Sequence, residues 1–241
     1  MKLSVIGCSP AWPNPGGAQS GYLVEGPRRL LLDCGPGVLA KLRERDGAWP
    51  RVDGIVITHW HLDHWGDLVP WVWGTTVGPG KDRPRVELWL PPEGTARLRE
   101  FGARLGWEEM WDAAFTLREY ADDEPFEAAG LHVVPVRLPH YTLRTYGLRV
   151  SNGSRSLAYS GDSGPSEQLG ELARDVDLFV CEATLERGEL DGDPRGHLSA
   201  DEAVAAFEAS GARRLLLTHR PHELALADGL EQAYDGLELE V

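Results

Sequence analysis

The chain has 241 residues, 42% of them hydrophobic, which is enough for a sizeable core in one domain or in two closely packed halves. Lys+Arg 24 against Asp+Glu 38 leaves a net charge of −14. That balance argues against extended nucleic acid as a partner, because such affinity comes from Lys and Arg neutralising backbone phosphates. A small anionic substrate stays open, since bound divalent metals reverse the local potential. No segment approaches the roughly 18 apolar residues of a membrane span, and the apolar run in Met1–Gly7 is too short for a signal peptide. Cys8, Cys34 and Cys181 show no Cys-x-x-Cys spacing and read as buried free thiols of a reducing compartment. The expectation is a soluble, cytoplasmic protein with no membrane partner.

In chain order, short strands are predicted at Leu3–Ile6, Gly21–Glu25 and Leu30–Asp33, with a Gly/Pro-rich loop from Ser9 to Ser20. Gly35-Pro36-Gly37 turns the chain into a helix near Val38–Arg45. The β-branched run from Gly54 to Thr58 reads as a buried strand. Leu98, Phe101 and Leu105 share one helical face within Glu93–Leu105. Strands resume at Leu131–Val136, Thr145–Val150 and Ser156–Ser160. A helix at Ala200–Ala209 and a buried strand at Arg214–Thr218 complete the pattern.

Two halves, roughly 1–125 and 126–241, echo each other within a single domain spanning 1–241. In each, a strand enters a Gly/Pro turn, and a later strand ends on Thr-His. Strands mixed with occasional helices suit a four-layer αββα sandwich of α/β (α+β) class.

His59-Trp60-His61-Leu62-Asp63-His64 carries the chemistry. It packs three imidazoles and a carboxylate behind a strand, a rigid support for ligands. His-x-His places two side chains on one side of an extended segment, and Asp63 and His64 turn back toward the same point. His140, Asp162 and His219 also stand at ends of predicted strands. One tetrahedral zinc uses four ligands; seven suit two metals, each with three terminal ligands, sharing one carboxylate. Nitrogen and oxygen donors without thiolate favour zinc, with manganese or iron possible.

The pattern His59-x-His61-x-Asp63-His64, then His140, Asp162 and His219, resembles the metallo-β-lactamase-fold hydrolases. The resemblance implies that fold, with His59, His61 and His140 on one metal, Asp63, His64 and His219 on the other, and Asp162 bridging. Leu-Pro-His140-Tyr with Tyr146-Gly147-Leu-Arg-Val, Tyr-Ser-Gly-Asp162-Ser, and His197-Leu-Ser-Ala-x-Glu-Ala look like the ribonuclease Z branch. The last of these implies a histidine near the scissile phosphate. Independently, Ser199 and Glu202 read as a helix N-cap pair, and the two roles are compatible. His132 and His222 read as structural.

The tRNA-maturing members of that branch commonly carry a gripping arm between the equivalents of His140 and Asp162. Here only the 21 residues 141–161 intervene, and they read as two strands joined at the hairpin signal Asn152-Gly153. Gly7-Cys8-Ser9, Ser20-Gly21-Tyr22-Leu23, Gly35-x-Gly37-Val38-Leu39, Leu157–Asp162 and Leu215–His219 resemble the small, armless bacterial cyclic-nucleotide phosphodiesterases of this fold. What that implies is metal-assisted in-line displacement on a small phosphodiester. Asp63 would orient the nucleophile, and His197 would stabilise the developing charge or protonate the leaving 3′ oxygen.

Other classes remain. Ribonuclease Z-like RNA processing keeps the same ligands, and so does hydrolysis of a lactone or thioester, since fold does not fix substrate. A redox di-iron protein would carry Glu where this chain has His61. A non-catalytic binding protein would have lost ligands. Trp60, Trp65, Trp71 and Trp73 follow the cluster and fit a base-stacking wall, core packing or a subunit interface. The run Trp71-Val72-Trp73 reads as exposed and suited to a homodimer contact.

Overall fold

A computed structural model describes all residues, Met1 to Val241. The elements run β1 (Lys2–Gly7), β2 (Gly21–Glu25), β3 (Arg29–Leu32), α1 (Val38–Asp46), β4 (Gly54–Val56), α2 (Leu62–Trp65), α3 (Leu68–Thr76), β5 (Val86–Leu90), α4 (Gly94–Arg104), α5 (Met110–Ala114) and β6 (Phe115–Glu119). After them come β7 (Phe126–Ala128), β8 (Leu131–His140), β9 (Leu143–Ser151), β10 (Ser156–Tyr159), α6 (Glu167–Leu172), β11 (Leu178–Glu182), α7 (Ala200–Ser210), β12 (Leu215–Thr218) and β13 (Glu238–Glu240).

The strands form two sheets, ordered β13-β1-β2-β3-β4-β5-β6 and β12-β11-β10-β9-β8-β7. Side-chain alternation decides what packs where. Leu30 and Leu32 point between the sheets, where they meet Leu131, Val133, Leu148 and Val180. Leu31, between them, points the other way into a core made by Val38, Leu42, Trp71, Leu98 and Trp111 of α1, α3, α4 and α5. On the far sheet, Phe179 and Cys181 face Leu169, Leu172 and Ala203 of α6 and α7. These are the four layers of an αββα sandwich, the metallo-β-lactamase fold.

The first sheet takes every strand before residue 120 and also β13, which pairs antiparallel with β1. β8 alternates buried and exposed positions over most of its length, as a one-sided strand does. β11 is buried at every position because it lies between parallel neighbours β10 and β12 and under helices. Ser199 and Glu202 form the expected capping box at the start of α7, an arrangement worth about 1 kcal/mol. The three cysteines are free and buried.

Two expectations need correction. The strand expected over Gly54–Thr58 ends at Val56. The run Trp71-Val72-Trp73 is not an exposed contact: it lies in α3, where Trp71 and Val72 are fully buried and only Trp73 is open, at 48%. A helix puts consecutive residues on different faces, so a three-residue run cannot form one contact surface. Trp65 is buried too, and Trp60 is half-buried against the same core.

Candidate metal centre

β3 and β4 run parallel, as do β10, β11 and β12. Parallel strands deliver their C-terminal ends to one edge, where open α/β sheets place their sites. His59 follows β4, Asp162 follows β10 and His219 follows β12, while His140 is the last residue of β8. Asp63 and His64 come from the single turn α2. That turn is held against the first sheet by hydrogen bonds from the backbone N–H groups of Ser20 and Cys34 to the carbonyls of Asp63 and His64. Gly35 is required beside it, since a Cβ there would collide with the Asp63 carbonyl oxygen.

All seven expected ligands converge. The ligand atoms of His59, His61, His140 and Asp162 lie within 4.8 Å of one another, as do those of Asp63, His64, Asp162 and His219. Asp162 belongs to both groups and is divided between them. Its Oδ2 stands 3.7 Å from His59 Nε2 and 3.9 Å from His140 Nε2, and its Oδ1 stands 3.2 Å from His64 Nε2 and 3.6 Å from His219 Nε2. Asp63 Oδ2 lies 3.3 Å from His64 Nε2 and 3.1 Å from His219 Nε2, and His61 Nδ1 lies 2.9 Å from His140 Nε2. Ligands about 2.1 Å from a tetrahedral ion are separated by about 3.4 Å, so these spacings suit ions between the donors.

Four of the five ligand imidazoles are fixed from behind. His64 Nδ1 donates to Asp33 Oδ2 at 2.7 Å, and His140 Nδ1 donates to the Gly196 carbonyl at 2.6 Å. The Thr58 hydroxyl donates to Asp33, so it accepts from His59 Nδ1 at 3.0 Å. The Thr184 hydroxyl donates to Glu182, so it accepts from His219 Nδ1 at 2.9 Å. Each bond fixes Nδ1 as a donor and leaves Nε2 facing inward, the orientation that metal-ligating histidines need. His59 Nε2, His64 Nε2 and Asp162 Oδ1 are buried without a hydrogen-bond partner. Buried polar atoms are rarely left so, and bound cations would satisfy them. The donor set therefore fits divalent metals.

Charge follows the same division. Burial pushes the pKa values of His59, His61 and His140 down, which keeps those imidazoles neutral. Burial opposes ionisation of Asp63 and Asp162, but the surrounding imidazoles, His219 and His64 foremost, outweigh it and hold both carboxyls well below the usual range.

His197 stands beside the ligands. Its ring stacks on His219 at 5.7 Å and meets His140 edge-on at 5.0 Å. Its Nδ1 donates to Glu182 Oε1 at 2.9 Å. Burial disfavours the imidazolium, but the Glu182 carboxylate outweighs it and the pKa is pushed up to about 9. His132 and His222 lie away from the site, both half exposed beside Glu127 and Glu223.

Two residues that matter here were not anticipated from the sequence. Asp33 is fully buried and accepts from the Thr58 N–H and hydroxyl, His64 Nδ1 and the Tyr159 hydroxyl. Glu182 is fully buried and accepts from the Ser163 and Thr184 N–H groups, the Thr184 hydroxyl and His197. Both are carboxylates closing an apolar strand, in Leu30-Leu31-Leu32-Asp33 and Leu178-Phe179-Val180-Cys181-Glu182. That is the same signal that marked Asp162.

A family model for the β-lactamase superfamily domain matches residues 28–220. An uncharacterized protein of Mycobacterium tuberculosis is 35% identical, covering 98% of this chain and 88% of its own length. The Bacillus subtilis protein named "probable metallo-hydrolase YhfI" is 30% identical over 92% of this chain and 88% of its own. The crystal structure of YhfI superposes with a TM-score of 0.83, at 26% identity and 99% coverage of both chains. A ribonuclease Z of Mycolicibacterium paratuberculosis is 27% identical over 98% of this chain and 91% of its own. The chain belongs to the β-lactamase superfamily and is a metallohydrolase. No helix is long and apolar enough to cross a membrane.

Proposed function

We propose that the chain is a two-metal phosphodiesterase acting on a small phosphodiester such as a cyclic nucleotide. The observation that carries this is the division of Asp162 between two ligand triads, Oδ2 toward His59 and His140 and Oδ1 toward His64 and His219. Two ions so placed, zinc best fitting the donors, would supply Lewis acidity toward the phosphate and lower the pKa of water toward neutrality. Asp63, with one oxygen on the second triad, is placed to orient the attacking water. His197, held through Nδ1 by Glu182, is free to donate from Nε2 to the departing 3′ oxygen.

The choice of a small substrate rests on segment 141–161. It is taken up by β9, which pairs with β8 on one side and β10 on the other, and by the tight turn between β9 and β10. No projecting arm remains for gripping a long RNA, and the net charge of −14 opposes one. The ribonuclease Z relative favours RNA processing as the second reading.

Metal-reconstituted protein assayed side by side on 3′,5′-cyclic mononucleotides, cyclic dinucleotides, precursor tRNA, bis-(p-nitrophenyl) phosphate and a lactone panel tests this. Turnover of a cyclic nucleotide to its 5′-monophosphate is expected. Cleavage of precursor tRNA or of lactones, with cyclic nucleotides untouched, overturns it.

A further inference from the structure

Between the strand end at Glu182 and helix α7, residues 191–197 fold back on one carboxylate. Asp191 Oδ2 accepts from the backbone N–H groups of Gly196 at 2.8 Å and His197 at 2.9 Å. Its Oδ1 accepts from its neighbour Gly192 N–H at 2.9 Å and from the Tyr141 hydroxyl at 3.0 Å. The side chain is only 5% exposed. Both oxygens are thus used, by the loop itself and by Tyr141.

The partners decide what the carboxylate controls. Gly196 supplies the carbonyl that fixes His140 Nδ1. His197 follows at once and aims its ring at His140 and His219. Tyr141 follows His140 in the chain, and its N–H donates to the Arg195 carbonyl at 3.1 Å. Its φ of +49° is in the left-handed region, which a bulky residue occupies only when its surroundings compel it. The phenol ring covers Gly196 so closely that a Cβ there would strike it. A ligand histidine, its strained neighbour and the substrate-side histidine therefore all meet on Asp191.

We propose that Asp191 is a positioning residue that orients the His140 ligand and His197 together, through the loop 191–197 and the Tyr141 hydroxyl. It touches neither metal nor substrate and acts only through these two histidines. Its effect on metal is independent of the substrate, while its effect on turnover rests on the phosphodiesterase reading.

The test uses full-length Asp191→Ala and Asp191→Asn proteins. Zinc affinity is measured by competition with a chromophoric chelator, and kcat and KM are measured on a cyclic nucleotide and on bis-(p-nitrophenyl) phosphate. Asp191 holds Gly196, the outer partner of His140, and loss of such support weakens metal binding about 10-fold, so a loss of up to that size is the expectation for Asp191→Ala. Asp191→Asn, which can still accept from Gly196 and His197, should lie between it and the parent and guards against a simple folding defect. With zinc saturating, kcat on the cyclic nucleotide should fall about 30-fold or more, within the range of a lost proton donor. The nitrophenyl diester, whose leaving group needs no proton, should be slowed only a few-fold, and KM should hold. The double variant with His197→Ala should be no slower than His197→Ala alone, as for residues that act as a unit.

A lowered Tm with unchanged zinc affinity and kcat overturns the inference, and so does an equal loss on both substrates. If the parent protein turns over neither diester, the phosphodiesterase reading fails, and zinc affinity alone decides the role of Asp191.

Discussion

Glu182 closes an entirely buried strand and places Oε1 2.9 Å from Nδ1 of His197. The strand ends on a charge because that charge has four donors waiting for it. Glu182→Gln keeps the shape but removes the charge and turns an amide toward at least one donor. Near-complete metal content with kcat lowered about 10- to 100-fold is expected, since His197 loses the carboxylate that orients it and favours its protonated form, part of what a general acid supplies. Metal analysis beside steady-state kinetics checks it, and an unchanged kcat counts against the His197 assignment as well.

His197→Ala separates chemistry from binding. The ligand shell stays intact, so zinc content should match the parent. Turnover of a cyclic nucleotide should fall about 100- to 1,000-fold, as for loss of a general acid. Normal kcat in this variant removes His197 from the mechanism.

His61→Ala addresses the metals. His61 Nδ1 stands 2.9 Å from His140 Nε2 and is the one ligand imidazole only partly buried, so its loss opens the site without a large cavity. Metal content should drop by about one ion per chain and activity below about 1%. Elemental analysis after non-chelating purification gives the result. Full metal content would displace His61 from the ligand set.

Trp71→Ala tests the corrected packing. Trp71 is fully buried and meets Trp49 edge-on at 5.6 Å. A loss of about 3–5 kcal/mol is expected from denaturant unfolding, against about 1 kcal/mol for Trp73→Ala, which is half exposed and packs on Trp107 at 5.6 Å. Equal costs at the two positions would contradict this difference in packing.

Asp46 gives a pH test far from the metals. Burial raises its pKa, but the Arg29 guanidinium, at 2.6 and 3.2 Å, and the Arg51 N–H outweigh that and hold it below the usual value. A carboxyl with a depressed folded pKa stabilises above its unfolded value of about 3.9 and loses that contribution as pH falls through the folded one. Asp46→Asn should therefore cost about 2 kcal/mol at pH 7, and the gap to the parent should narrow as pH falls below the unfolded value of about 3.9. A gap that persists in acid would show that the charge is not its source.

The seven converging residues could be read from the sequence because their types suit a metal and they stand at or soon after strand ends, and strand ends follow from apolar runs and turn residues. The capping box at Ser199 and Glu202 was legible for the same local reason. Asp33 and Glu182 were not identified as site residues: lone carboxylates after apolar runs declare a partner only once tertiary structure brings His64 or His197 to them. β11 escaped as well, since Leu178-Phe179-Val180-Cys181 is apolar on both faces and gives no alternation to detect. The α3 run misled because Leu68 to Val72 is apolar all round, so which face is open depends on α5 packed beside it.

The seven candidate ligands are divided by the fold: His59, His61, Asp63 and His64 come from the loop and turn after β4, and His140, Asp162 and His219 from strand ends of the second sheet. During synthesis the first group emerges well before the shared carboxylate exists. Neither group alone would complete either proposed triad, so tight metal capture would have to wait until the two sheets have docked. Metal uptake would then report the last act of maturation, and a chelator would act as a brake on assembly as well as on turnover.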